Sequence, residues 1–234
     1  MTEAMLAGLQ ALEQQMDRVA DTNRILDIFY RYIHYFSLLH REGILSTFAD
    51  RDDVSLELAE EGVVVGPEQL RRHFSFMPVL AQKPGILVYH YVTCPVVEIA
   101  ADGATAKLTC FAPGCDAMAP ASMQDWIYGK YYVDLIRQTD GQWKVWHVRW
   151  FRTFETPVTV GWLKEQTAHD KQYGHAKLKD AYAQRAEKQP STYPPYWKYP
   201  KHFDPTQPNY LLPEPPKAYT SWDGMTAMDM TRTY

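Results

Sequence analysis

The stretch Trp126–Phe154, WIYGKYYVDLIRQTDGQWKVWHVRWFRTF, decides how the chain is read. Two runs rich in Tyr, Trp, Val and Ile flank Thr139-Asp140-Gly141-Gln142. Asp-Gly between strand-like runs is a strong hairpin signal, because the favoured tight turn needs positive φ at its central residues. In the second arm Trp143, Val145, His147, Arg149 and Phe151 alternate with Lys144, Trp146, Val148, Trp150 and Arg152. Both sets carry large aromatics and both carry charge. A strand with one face in water has no use for Trp on each side. One face therefore lines a core or pocket, and the other packs on a second layer or another subunit.

Upstream of the hairpin, residues 3–20 read as an amphipathic helix, with Met5, Leu6, Leu9, Leu12, Met16 and Val19 at three- and four-residue steps. Asp21-Thr22-Asn23 reads as an interruption that caps a second helix, from about Arg24 to Leu39. That helix is unusually aromatic and carries His34 and His40 near its end. Gly43 marks a break, and Leu45–Phe48 a short helical turn. Val54–Leu58 and Gly62–Val65 are short strands, and Gly66-Pro67 opens a helix through Leu70, Phe74 and Met77. Gly85–Ile99 is strand-like, Ala101-Asp102-Gly103 is a second turn, and Thr105–Phe111 returns as a strand. Ala112–Ser122 reads as a Pro/Ala/Gly loop flanking a pocket mouth. Segregated helices and hairpin-joined strands make an α+β fold. The expected form is a cone-shaped, strongly curved, mixed but mostly antiparallel sheet, closed by the N-terminal helices. This domain covers residues 1–162; residues 163–234 form a polar, helix-forming segment and an extended Pro/Tyr-rich tail from Pro190. Trp197, Phe203, Tyr210 and Trp222 are too apolar for a solvated linker, so the tail is expected to lie on its own domain or on a neighbouring subunit.

Composition narrows the function. Among 234 residues, 46% are hydrophobic, which rules out global disorder. The net charge of −4 and the lack of a Lys/Arg cluster give no electrostatic case for nucleic acid. No apolar run approaches the ~20 residues of a membrane span, and the start lacks a secretory pattern. Three scattered Cys suit free thiols in a reducing compartment, so the expected location is cytoplasmic. No HxH, HxxxH or HExxH spacing suggests a metal, and no Gly-rich phosphate loop suggests a nucleotide cofactor. The abundance of Tyr (16), Trp (7) and Phe (9) leaves aromatics available to line a site for a flat, ring-bearing ligand.

Several segments together resemble the nuclear-transport-factor-two-like superfamily, in particular its SnoaL-like branch. They are the aromatic helix ending in Tyr35-Phe-Ser-Leu-Leu-His40, Phe48-Ala-Asp50, Gly66, His90-Tyr-Val-Thr-Cys-Pro95, Tyr128-Gly-Lys-Tyr-Tyr-Val-Asp134, Asp140-Gly-Gln-Trp-Lys144, Phe154-Glu-Thr-Pro157 and Gly161-Trp162. The resemblance covers roughly Asp21 to Trp162. It implies catalysis without metal or organic cofactor, by isomerases, dehydratases, cyclases, epoxide hydrolases or lyases, although some members only bind. Dehydratases of this type pair a Tyr with an Asp at the end of the first core helix, opposite a strand His. The matching positions here are Tyr35, His40 and His90, so His replaces the carboxylate.

The chemistry of these residue types suits proton transfer. His40 and His90 can exchange a proton near neutrality, and the Tyr35 phenol can steady an oxyanion. His147 and Arg149, on one strand face, can bind developing negative charge. Tyr32, Trp126, Tyr128 and Lys130 are candidate substrate contacts. Blander readings compete: His90 as a core histidine, His40 as a helix-end residue, Arg149 as an interface ion pair. The expected activity is that of a cofactor-independent lyase on a bulky hydroxylated aromatic or polycyclic compound. It would act by dehydration or by retro-aldol cleavage, as in the lyases of this superfamily that release formaldehyde from lignin-derived diarylpropanes. A double-bond isomerase or a binding module is the alternative. Aromatics on both hairpin faces imply a homodimer or homotrimer.

Overall fold

A computed structural model describes residues 2–58, 62–163, 197–198, 203, 214–222 and 228–229. The expected helical segment 163–188 and most of the Pro/Tyr-rich tail lie outside the described residues.

The described chain begins with one helix, α1 (Glu3–Ser37), where the sequence suggests two. Asp21-Thr22-Asn23 does not interrupt it, because the Asp21 and Thr22 side chains bond elsewhere. Asp21 accepts from Trp143 Nε1 at 3.0 Å, from Arg24 Nη1 at 2.9 Å and from Arg137 Nη2. Thr22 Oγ1 donates back to the Arg18 carbonyl at 2.9 Å. A residue so occupied cannot cap a new start. Burial alone would raise the Asp21 carboxyl, but the bonds from Trp143, Arg137 and Arg24 outweigh it and hold it below the usual carboxylate range.

After α1 come α2 (Arg41–Thr47), β1 (Ser55–Leu58), β2 (Gly62–Val65), α3 (Pro67–His73), a 3₁₀ turn and the one-turn α4 (Met77–Leu80). The remainder of the domain is sheet: β3 (Ile86–His90), β4 (Thr93–Ile99), β5 (Thr105–Met118), β6 (Met123–Arg137) and β7 (Trp143–Pro157). The strand order is β2-β1-β7-β6-β5-β3, with β4 also on β5. Only the β1–β7 contact among them is parallel. This is the mixed, mostly antiparallel, curved sheet of an α+β cone, with α1 packed on its concave side.

Of the segment read as a Pro/Ala/Gly loop, residues 112–118 are instead the second half of β5, and only residues 119–122 turn. That half of β5 pairs with β3 on one side and with β6 on the other, so ladder bonds from both neighbours override weak local propensity. Pro113, which has no N–H to give, takes part through its carbonyl, accepting from Tyr91 at 2.9 Å.

The hairpin turn is as read. Gly141 has φ +81°, and Gln138 and Gln142 close the loop at 2.8 Å. The simple alternation of β7 is not. The β6–β7 register shifts between Asp134 and Leu135 and again between Tyr128 and Gly129. Each bulge adds one residue to β7 and reverses its faces locally. Val145, Val148, Trp150 and Arg152 consequently oppose Leu135, Val133, Tyr131 and Gly129 on the concave side, whereas His147, Arg149 and Phe151 oppose Asp134, Tyr132 and Lys130 on the convex side. Val145 is thus separated from His147, with which simple alternation groups it.

The core lies between α1 and the concave face. Ile25, Phe29 and Tyr32 are buried there, and Tyr131 meets Phe29 edge-on at 5.5 Å and Tyr32 at 6.4 Å. Of the tail, Tyr219 bonds Thr105 at 3.0 Å and Trp222 packs on Trp146 at 4.7 Å, so residues 214–222 follow their own domain. Replacing Asp21 by Ala should cost about 2–3 kcal/mol, the value of hydrogen bonds to a charged group with partners left unsatisfied. Urea unfolding would show it as a lower midpoint with an unchanged slope.

Candidate functional site

The site is built where the end of β3 meets the middle of the long hairpin. His90 ends β3, and its Nδ1 lies 2.9 Å from the Tyr131 hydroxyl of β6. The imidazole sits between two rings: Trp150 of β7 stacks on it at 5.0 Å, and Phe36 of α1 lies at 4.9 Å. Two glycines make this approach possible. A Cβ on Gly114 would collide with the Tyr89 carbonyl and come within 3.1 Å of His90, and one on Gly129 would run into the Trp150 ring. His90 and Trp150 remain part-exposed, so this end of the concave face is open.

Burial fixes the protonation states. It pulls the His90 imidazole down to about 4, so the ring is neutral at pH 7. Burial, with smaller contributions from Tyr32, Cys110 and Asp116, pushes the Tyr131 phenol well up, so it keeps its proton. One of the two donates to the other. When His90 Nδ1–H donates to the phenol oxygen, Nε2 presents a free lone pair to a substrate.

A carboxylate completes the group. Asp116 of β5 pairs with Val88, two places along from the Gly114–His90 pair, on the same concave face. Diagonal neighbours in such a ladder stand about 7–8 Å apart, room for a reacting group between them. Burial first, then the negative charges of Glu155 and Asp125, push the Asp116 carboxyl up to about 7. Its Oδ1 is buried with no hydrogen-bond partner among the described residues. Beside it Arg152 and Glu155 form an ion pair.

The other expected site residues do not converge here. His40 is exposed, and its Nδ1 accepts from Gly43 N–H at 2.7 Å, capping α2. Tyr35 tilts against that ring at 5.4 Å. This is the helix-end reading of His40. His147 and Arg149 lie on the convex face. Ser55 Oγ is 2.9 Å from His147 Nδ1, and Arg149 is fully buried against Asp134 at 2.7 Å and Glu57 at 3.8 Å. A guanidinium so committed to carboxylates is a structural counter-ion. Trp126, Tyr128 and Lys130 are also convex: Tyr128 stacks on Phe154 at 4.7 Å and Lys130 lies over Phe111 at 5.5 Å. Tyr32 is core. Alternation groups His147 with Arg149 and Tyr128 with Lys130, but it does not say that their shared side faces away from α1.

Residues that sequence reasoning passed over are Phe36, Tyr131, Trp150 and Asp116. Asp116 was hidden in the supposed loop. The alternation of β6 places Tyr131 opposite Lys130, but nothing in the sequence says which of them looks inward. Among the described residues no group of three or more His, Cys, Asp or Glu is placed to hold a metal ion.

A neutral histidine, a protonated phenol and a proton-bearing carboxyl lie together on the concave side of the curved sheet of an α+β cone protein. The chain belongs to the SnoaL-like domain family, whose model matches residues 17–149. Similar solved structures include a candidate scytalone dehydratase from Novosphingobium aromaticivorans DSM 12444, at 14% identity and TM-score 0.52, covering 62% of this chain and 91% of that one. The hexachlorocyclohexane dehydrochlorinase LinA-type3 from Novosphingobium barchaimii LL02 is 17% identical, with TM-score 0.52 and coverage of 63% and 96%. A protein of unknown function from Mycobacterium tuberculosis is 21% identical, with TM-score 0.50 and coverage of 70% and 92%. At these identities the likeness is one of fold. No match was found among curated proteins.

The depressed His90 value has a consequence for stability. An unfolded chain protonates this histidine near pH 6.5, whereas the folded chain resists until about 4. Unfolded protein therefore binds more protons in that window, and His90 favours unfolding as pH falls through it. His90→Gln should flatten the fall in stability between about pH 6.5 and 4; denaturation midpoints of both proteins across that range check it.

Proposed function

We propose that this protein is a cofactor-independent lyase acting by acid–base catalysis on a bulky hydroxylated aromatic or polycyclic small molecule. The observation that carries the reading is the pairing of His90, neutral and held by Tyr131, with the inward carboxyl of Asp116. A neutral imidazole can accept a proton at pH 7, and a carboxyl whose proton is retained to about pH 7 can supply one. His40, His147 and Arg149 are not needed for this scheme.

In a dehydration, His90 Nε2 removes a proton from the carbon next to an electron-withdrawing group. Asp116 protonates the departing hydroxyl, which leaves as water, and the C–H electrons form the new double bond. In a retro-aldol cleavage, His90 instead takes the hydroxyl proton. The C–C bond then breaks toward an electron sink in the substrate, such as a quinone methide, and Asp116 protonates the resulting carbanion or phenolate. Either way His90 ends protonated and Asp116 ionised, and proton exchange with water resets both. Phe36 and Trp150 provide aromatic surface beside the reacting edge. The dehydratase and dehydrochlorinase among the structural relatives support elimination on this fold. Diarylpropanes of lignin type are the substrates we would test first. The exposed apolar surface that the protomer leaves uncovered supports a homodimer or homotrimer.

Metal-free protein should convert one member of a panel of hydroxylated diaryl and polycyclic compounds, read by absorbance of the conjugated product and by released formaldehyde. His90→Gln should lower turnover at least ~100-fold; full turnover by that variant would remove His90 from the mechanism. The rate should also be bell-shaped in pH. Activity falls as His90 gains a proton toward about 4 and as Asp116 loses one above about 7. Asp116→Asn should abolish the alkaline limb while lowering the rate. An unchanged alkaline limb in that variant would assign it to another group.

A further inference from the structure

The first half of α1 has no packing partner among the described residues. Every residue from Thr2 to Val19 is exposed, and among the described residues this half is hydrogen-bonded to the sheet through Arg18, which bonds Glu98 at 3.2 Å and the Ile99 carbonyl at 3.0 Å. The projecting part is about 25 Å long at 1.5 Å per residue. A lone helix of this size is marginal in water and draws its stability from a packed apolar face.

Such a face is present and has a definite period. Met5, Leu9, Leu12, Met16 and Val19 follow one another at steps of four, three, four and three residues. These are alternate d and a positions of a seven-residue repeat, and all five are between 53% and 64% exposed. The register continues through Asn23 and Leu26 to Tyr30, along a side of the helix that stays exposed or half-exposed after α1 joins the domain. An apolar stripe repeating every seven residues is complementary to another helix with the same stripe, and a single Asn in an a position favours two strands in parallel register.

We infer that the N-terminal half of α1 is a dimerisation helix that forms a parallel, in-register coiled coil with α1 of a second copy of this chain. The flanks fit that occupant. In parallel register Gly8 faces Glu13 of the second helix and Gln15 faces Ala20, so no like charges meet across the seam. The polar side carries Glu3, Glu13 and Asp17 against Arg18 alone, which is the wrong sign for an anionic lipid surface. Asn23 meets its own counterpart where the two domains come together. The seam lies away from His90, and this inference stands whatever the substrate proves to be.

The test is sedimentation velocity on the full chain over a range of micromolar concentrations. Wild type should sediment as a dimer. The double variant Leu9→Glu, Leu12→Glu should sediment as a monomer at least tenfold above the concentration at which wild type is still dimeric. Both leucines are exposed in the protomer, so its near-ultraviolet circular dichroism should be unchanged. A second measurement fixes the orientation. With Cys94, which is exposed, replaced by Ser, Leu12→Cys should form an intermolecular disulfide on mild oxidation, whereas Gln14→Cys, on the outer side, should not. A monomeric wild type, a dimer that survives both glutamates, or cross-linking at position 14 in place of 12 would overturn the inference.

Discussion

Tyr131 is the residue on which the rest of the domain turns. Its ring edge packs on Phe29 and Tyr32 of α1, its neighbour across the sheet is Trp150, and its hydroxyl holds His90. One side chain thereby joins the helix, the sheet and the imidazole of His90. The phenol is buried and keeps its proton because ionising it there would leave an unsolvated charge. A core contact and the support of the His90 ring are in this case the same object. A histidine held by a neutral phenol instead of a carboxylate gains no charge stabilisation from its partner. That fits an imidazole whose resting form is neutral.

The sheet separates two kinds of polar chemistry. On the convex side the charged groups are paired: Arg149 sits between Asp134 and Glu57, and His147 is bonded to Ser55. Such a network specifies how β1 lies on β7, through the Ser55–His147 and Glu57–Arg149 register. On the concave side the charges are less balanced. Asp116 has two like-charged neighbours, Glu155 and Asp125, and is kept partly neutral by taking up a proton. Titratable groups with strained ionisation are what acid–base catalysis uses, and groups with satisfied charge are what folding uses. Residue type alone could not separate them, since Arg and His on a strand look equally suited to binding an anion.

The hairpin, its Asp-Gly turn, the strands β1 and β2 and the helical start were legible in the sequence because each rests on local periodicity or turn chemistry. The continuity of α1 was not. It depends on Asp21 being drawn across to Trp143 and Arg137, more than a hundred residues away along the chain. The second half of β5 was not legible either, because Ala112, Pro113 and Gly114 have little strand preference of their own. They are extended because β3 and β6 bond them from both sides.

What the sequence determined by itself was the α+β class, the aromatic hairpin at its centre and the presence of His90 on a strand leading into it. These follow from spacing, which is a property of neighbours in the chain. The tertiary structure alone decided which side of that hairpin faces the helix. Trp150 and Tyr131 turn inward with His90 while His147 and Arg149 turn out, and a bulge at each end of this run stops its alternation from extending along β7. A strand's period of two records that its faces differ, and only the packing of another element against one of them makes it the inside.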